Sequence, residues 1–132
     1  MMPGVGTLCP LIQVYDMPRA LAFYRDKLGF QLDSDSGGGD DADWCLLKLG
    51  GSSLMLNTDY EAAERPPAPD QARIAAHQDT GLFFNCQSAD AIYDYLKARG
   101  VALDPPKTAP YGMRQLYLRD PDGYELCFQH PA

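Results

Sequence analysis

Apolar and polar positions alternate with a period of two from Leu8 to Tyr15, with Leu8, Pro10, Ile12 and Val14 on one face and Cys9, Leu11, Gln13 and Tyr15 on the other. That is the pattern of a half-buried strand. Pro10 has no N–H to give to a ladder, so it marks an edge, a bulge or a point where the strand changes neighbours. The period then lengthens to that of a helix. Asp16 stands at the capping position, Pro18 lies in the first turn, Leu21, Tyr24 and Leu28 form the buried stripe, and Gly29 ends it. A strand from Phe30 to Ser34 follows, and then Trp44 to Leu49 and Ser53 to Asn57 read as a hairpin about Gly50-Gly51. Between these strands, Gly37-Gly38-Gly39-Asp40-Asp41 predicts a flexible, solvated hairpin tip, because three glycines fix nothing and two adjacent acids repel.

The second half repeats the order. A strand is predicted over 81–87, a helix from Ala89 to Arg99 capped by Ser88 with Ile92 and Leu96 inward, and a strand from Val101 to Leu103. Pro105, Pro106 and Pro110 stiffen a loop that delivers Tyr111-Gly112-Met113 to a last hairpin, whose turn is Arg119-Asp120-Pro121-Asp122-Gly123-Tyr124. An offset of 72 residues lays Leu8-Cys9-Pro10-Leu11-Ile12 over Thr80-Gly81-Leu82-Phe83-Phe84, Asp16 over Ser88, and the segment from Gly51 to Leu56 over that from Gly123 to Phe128. The chain is therefore expected to be a single α+β domain, 1–132, made of two copies of a strand–helix–three-strand unit, 7–58 and 80–130. Residues 59–79 connect them, with Pro66, Pro67, Pro69 and one helix-like piece, Gln71 to Ala76. A connection of this length is either a solvated linker or the cover of a binding site.

Composition narrows the partners. A net charge of -7 with no basic run disfavours nucleic acid and anionic membrane. No apolar run approaches the roughly 20 residues of a membrane-spanning helix. The four cysteines form no CxxC pair and no signal-peptide pattern precedes them, so reduced thiols in a soluble, cytoplasmic protein are expected.

Val14-x-Asp16, Phe23-Tyr24 and Leu28-Gly29-Phe30 in the first unit, with Arg99-Gly100-Val101 and Asp120-Pro121-Asp122-Gly123-Tyr124 in the second, carry a resemblance over nearly the whole chain. The sequence resembles the vicinal oxygen chelate superfamily, which holds glyoxalase I, extradiol dioxygenases, fosfomycin-modifying enzymes and the bleomycin-resistance proteins. The resemblance implies two βαβββ units, each curling its sheet into half of a cleft. In the metalloenzymes of that superfamily, four inward side chains, usually His or Gln and Glu, hold one divalent ion. Carried onto this chain, those positions fall at Cys9, Met55, Gly81 and Cys127, none of them a His or a carboxylate. Such a set does not suit Mg, Mn, Fe or Ni. No cofactor is therefore expected.

The stretch from Pro10 to Met17 is similar to the first strand of the bleomycin-resistance branch, whose members lack the metal, dimerise and sequester a drug. That similarity implies a homodimer here, with a small organic ligand. Its expected walls are Cys9, Leu11, Gln13, Trp44, Leu46, Met55 and Asn57 from the first unit. From the second unit they are Phe83, Asn85, Gln115, Tyr117, Glu125, Cys127 and Gln129, with Tyr111 and Met113 at the rim. This lining suits stacking on an aromatic or heterocyclic ligand, with the amides orienting it. Three alternatives stay open. Cys9 and Cys127 could take a soft ion such as Cu(I). Glu125, the one inward carboxylate, could act as a general base or form a rim salt bridge. A metal-dependent lyase, isomerase or dioxygenase could instead use His77, Glu125 and His130.

Overall fold

Two four-stranded mixed sheets carry the chain, and the computed structural model describes residues 2–132. The first contains β1 (Leu11–Gln13), β2 (Gln31–Asp35), β3 (Trp44–Leu49) and β4 (Ser52–Asn57) in the order β1-β4-β3-β2. The second contains β5 (Gly81–Asn85), β6 (Lys107–Thr108), β7 (Met113–Arg119) and β8 (Glu125–Pro131) in the order β5-β8-β7-β6. Helix α1 (Met17–Leu21), continued by a π-helical stretch (Ala22–Lys27), and α3 (Ala89–Ala98) make the crossovers that the parallel pairs β1–β4 and β5–β8 require. Asp16 and Ser88 cap these helices through their side chains. A third helix, α2 (Gln71–His77), lies in the connection.

The repeat in sequence is also a repeat in register. Leu11 pairs with Met55 and Gln13 with Asn57; 72 residues on, Phe83 pairs with Cys127 and Asn85 with Gln129. The fold is thus two tandem βαβββ units, as the strand pattern predicts.

Two strand expectations are corrected, and the hairpin tip is exposed as expected but forms a defined turn. β1 spans only Leu11–Gln13 rather than Leu8 to Tyr15, because Pro10 offers the ladder a carbonyl but no N–H: its oxygen accepts from Met55 N at 2.8 Å. Leu8, ahead of it, is 87% exposed. The strand expected over Val101 to Leu103 is absent; the edge strand forms instead at Lys107–Thr108, beyond the two prolines that lack ladder donors. Val101 and Leu103 still pack on the core. The glycine-rich tip is a short 3-10 turn (Gly39–Asp41), and its two acids are paired rather than free: Asp40 with Arg25 at 2.9 Å and Asp41 with Arg65 at 2.8 Å.

The helix-side faces of both sheets share one core. Ile12, Leu54 and Leu56 from the first sheet meet Leu116, Leu126 and Phe128 from the second, around Met17, Leu21, Tyr24 and Leu96 of the helices. Phe30 packs edge-on against Phe84 with ring centres 5.9 Å apart. The Asp120–Tyr124 turn locks the units together. Asp120 Oδ1 accepts from Asp122 N and Tyr124 N, both at 2.9 Å, while Oδ2 accepts from the Tyr24 hydroxyl at 2.6 Å. Tyr15 N donates to Asp122 Oδ1 at 2.9 Å. From the connection, His77 stacks on Tyr124 with ring centres 4.0 Å apart, and Ile74 packs over Gly123, where a Cβ would meet its side chain at 2.8 Å.

Removing the Tyr24 hydroxyl leaves a buried carboxylate short of a donor, so Tyr24→Phe is expected to cost about 1–3 kcal/mol in urea denaturation. Asp122 predicts a pH effect. Its Oδ2 is buried without a partner, and burial pushes its carboxyl up to about 7, against roughly 4 in an unfolded chain. The native state therefore binds the extra proton between those values, and the stabilisation, complete below about pH 4, is lost as pH rises through about 7. The melting temperature should fall between pH 5.5 and pH 8, and Asp122→Asn should flatten that fall. Burial shifts Asp120 in the same direction, so a residual slope is expected to remain in the variant.

Candidate functional site

With the helix-side faces consumed by the core, the opposite face of each sheet is left uncovered, and its side chains fall into matching rows. In the first sheet Trp44, Asn57 and Gln13 lie across β3, β4 and β1, and Leu46, Met55 and Leu11 form the next row. In the second, Gln115, Gln129 and Asn85 lie across β7, β8 and β5, followed by Tyr117, Cys127 and Phe83, then Arg119, Glu125 and Gly81. An offset of 72 residues relates the β1 and β4 members of these rows to those of β5 and β8, and an offset of 71 relates Trp44 and Leu46 of β3 to Gln115 and Tyr117 of β7, so each unit presents one amide-bearing row beside one apolar row.

The polar contacts in these rows stay within their own sheets. Asn57 Nδ2 donates to Gln13 Oε1 at 3.3 Å. Gln115 Nε2 donates to Gln129 Oε1 at 3.0 Å and to the Tyr111 hydroxyl at 2.9 Å, which locks the second amide row to the rim. The apolar rows stay open: Leu11 is 47% exposed, Phe83 52% and Tyr117 39%. Phe83 and Tyr117 meet edge-on at 6.1 Å, with Cys127 fully buried between their strands. Met113 is half-buried and Tyr111 exposed.

The sequence-predicted wall residues are thus brought together as two separate half-walls, one per sheet. Cys9 sits ahead of β1, its sulfur 3.9 Å from the Pro10 carbonyl. The residues opposite Met55 and Cys127 are Leu11 and Phe83, two positions beyond Cys9 and Gly81. With either choice of partner the four positions carry thiol, thioether, hydrocarbon or no side chain, so they do not fit an oxygen- or imidazole-seeking divalent ion. Among the described residues no three His, Cys, Asp or Glu side chains converge as a metal site.

His77, Glu125 and His130 are held apart by separate partners. His77 Nδ1 is 2.7 Å from the Asp122 carbonyl, Glu125 pairs with Arg119 at 3.3 Å, and His130 Nδ1 is 2.9 Å from the Pro131 carbonyl. Arg119 is the residue the sequence reading overlooked. The signal was its position: Arg119 and Glu125 flank the turn as the last pair of the β7–β8 hairpin, so they must face each other. Within the connection, α2 is seated on the Asp120–Tyr124 turn.

Paired βαβββ units, each with an open sheet face, define the class of fold. The profile of the Glyoxalase/Bleomycin resistance protein/Dioxygenase superfamily matches residues 7–128, and the chain belongs to that superfamily. Among solved structures it is similar to TnmS3, an antibiotic-binding protein from Streptomyces sp. CB03234, at 27% identity and a TM-score of 0.73, with all of both chains covered. A glyoxalase/bleomycin resistance protein from the same organism matches at 28% identity and 0.65, over 92% of this chain and 97% of that one. The bleomycin-binding protein of Streptomyces verticillus, solved with copper(II)-bleomycin, matches at 23% identity and 0.67 over 97% of each chain, a likeness of fold. A search of curated proteins finds no match.

All four cysteines are free. Burial pushes the Cys45 thiol up to about 11 and also raises Cys127. In a thiol titration of the native protein with an aromatic disulfide, Cys45 and Cys127 should stay unreactive until denaturant is added.

Proposed function

We propose that the protein binds an aromatic or heterocyclic small molecule, without a metal, in clefts completed by a second copy of the chain. The observation that carries this reading is the pair of uncovered half-walls. Each has an ordered amide row beside an exposed apolar row, at the positions where the superfamily's metalloenzymes keep their ligands. A face with Phe83 and Tyr117 edge-on and Gln115 and Gln129 fixed beside them suits a flat ligand that stacks and hydrogen-bonds at once. The aliphatic row of Leu46, Met55 and Leu11 would cover its other side. In a homodimer, one unit's face would meet the other unit's face of the partner, closing two equivalent clefts. Similarity to an antibiotic-binding protein at 27% identity supports a ligand of antibiotic type. The four free thiols accord with a reducing compartment such as the cytoplasm.

Trp44 is the single tryptophan and lies on the first half-wall, so its fluorescence reports occupancy directly. Titration with a panel of aromatic antibiotics should quench it saturably. Phe83→Ala and Tyr117→Ala should each weaken binding by about 1–2 kcal/mol, roughly 5- to 30-fold. Light scattering should give twice the chain mass, and elemental analysis of protein purified without chelator should find no stoichiometric metal. A monomer that quenches with no member of the panel and carries one equivalent of Ni, Zn, Fe or Mn would overturn the reading in favour of a metal-dependent enzyme.

A further inference from the structure

The two units differ at one place where the repeat predicts likeness. Tyr24 and Leu96 are 72 residues apart, and both are fully buried on the core side of their helices. Beneath α1 the space is full: the Tyr24 phenol reaches the carboxylate of Asp120 at 2.6 Å, the turn that supplies this carboxylate is five residues long (120–124), and α2 closes over it. Beneath α3 nothing equivalent is present. Leu96 has no ring, the matching turn between β3 and β4 is only Gly50-Gly51, and the single inter-unit connection has been used on the other side.

What remains is a cavity of about 370 Å³ bounded by Leu49 and Ser52 of the first unit and by Phe84, Tyr95, Leu96 and Phe128 of the second. Phe84, Leu96 and Phe128 belong to the shared core, so this space lies on the helix side of the sheets, away from the open half-walls; of the wall residues only Asn85 reaches it. An apolar cavity of about 150 Å³ already takes up benzene, so this one has room for a substituted ring.

We propose that this cavity is a second ligand site, for a single aromatic ring bearing a hydroxyl or carboxylate, held where the Tyr24 phenol lies in the other unit. The chemistry of its walls matches that occupant. Phe84 and Phe128 stack on one another with ring centres 5.0 Å apart and give a flat apolar wall. Ser52, on the core-facing side of β4 with Leu54 and Leu56, supplies a hydroxyl. Behind one lining residue, the Arg99 guanidinium lies 3.7 Å over the Tyr95 ring. It makes no ion pair among the described residues, so the rim favours a neutral or anionic substituent over an ammonium. Gly50 and Gly51 of the short turn line the same space.

The test uses p-cresol, 4-methylbenzoate and 4-methylbenzylamine with the full chain, read by amide chemical-shift mapping. Cresol and methylbenzoate should shift Ser52, Ile92, Leu96 and Phe128 saturably and leave Phe83 and Tyr117 unmoved, while the amine binds more weakly. Arg99→Gln should remove the preference for the carboxylate over the amine. Leu96→Tyr, which places the first unit's own phenol in the second, should lower cresol affinity by about tenfold or more without lowering the melting temperature. Should that variant fail to fold, Ser52→Phe at the rim is expected to block the probes in the same way. The proposal is overturned if no saturable shift occurs at these residues up to the probes' solubility, if the shifts map to Phe83 and Tyr117 instead, or if a folded cavity-filling variant binds cresol as tightly as the parent.

Discussion

A carboxylate removed from water must find its donors inside the protein, and Asp120, buried beside Asp122, has three. Two of its donors are main-chain amides of its own turn, and the third is the Tyr24 hydroxyl from the other unit. A helix and a turn 96 residues apart in sequence are thereby held at hydrogen-bond distance. Asp122, two residues on, receives Tyr15 N, so the end of β1 is tied to the same turn. Gly123 lets Ile74 approach closely, so the connection is seated there as well. The five residues 120–124 thus set how the two halves meet, and an apolar substitute could not do so with the same directionality.

That joint decides which faces are available. Because the units meet through their helix sides, Phe30 with Phe84 and Leu54 with Leu126 in one core, the opposite faces are left open. Repetition then produces two half-walls of one design with different chemistry: an amide row in each, but an aliphatic row in the first and an aromatic row in the second. The same repetition, interrupted at the β3–β4 turn, leaves the space under α3 empty where its counterpart under α1 is filled.

Much of this was legible along the chain. The change of period from two to 3.6, the caps Asp16 and Ser88, and the glycines that end the helices, such as Gly29 at φ 86°, predict the elements and their order. The 72-residue offset predicts equal registers, and Met55 against Cys127 follows from it. These features are legible because they depend on local sterics and on side-chain alternation, which neighbouring residues determine. The lack of oxygen or imidazole at Cys9, Met55, Gly81 and Cys127 is likewise a fact of residue type.

The remainder was decided only in three dimensions. Residues 37–41 are an exposed tip, as the glycines and acids there imply, but only the fold brings Arg25 and Arg65 to pair with Asp40 and Asp41. Val101 to Leu103 alternate as a strand does, but they lie ahead of two prolines, and pairing with β7 begins only at Lys107. The wall residues were identifiable one by one. Their separation into two half-walls was not, because it follows from which faces the units bury against each other. By itself the sequence determined the order of the helices and most strands and the equal registers of β1–β4 and β5–β8, since each depends on residue type and short-range geometry. The tertiary structure alone decided where charges are paired, which faces stay open and where a cavity remains, since those depend on residues that only the folded chain brings together.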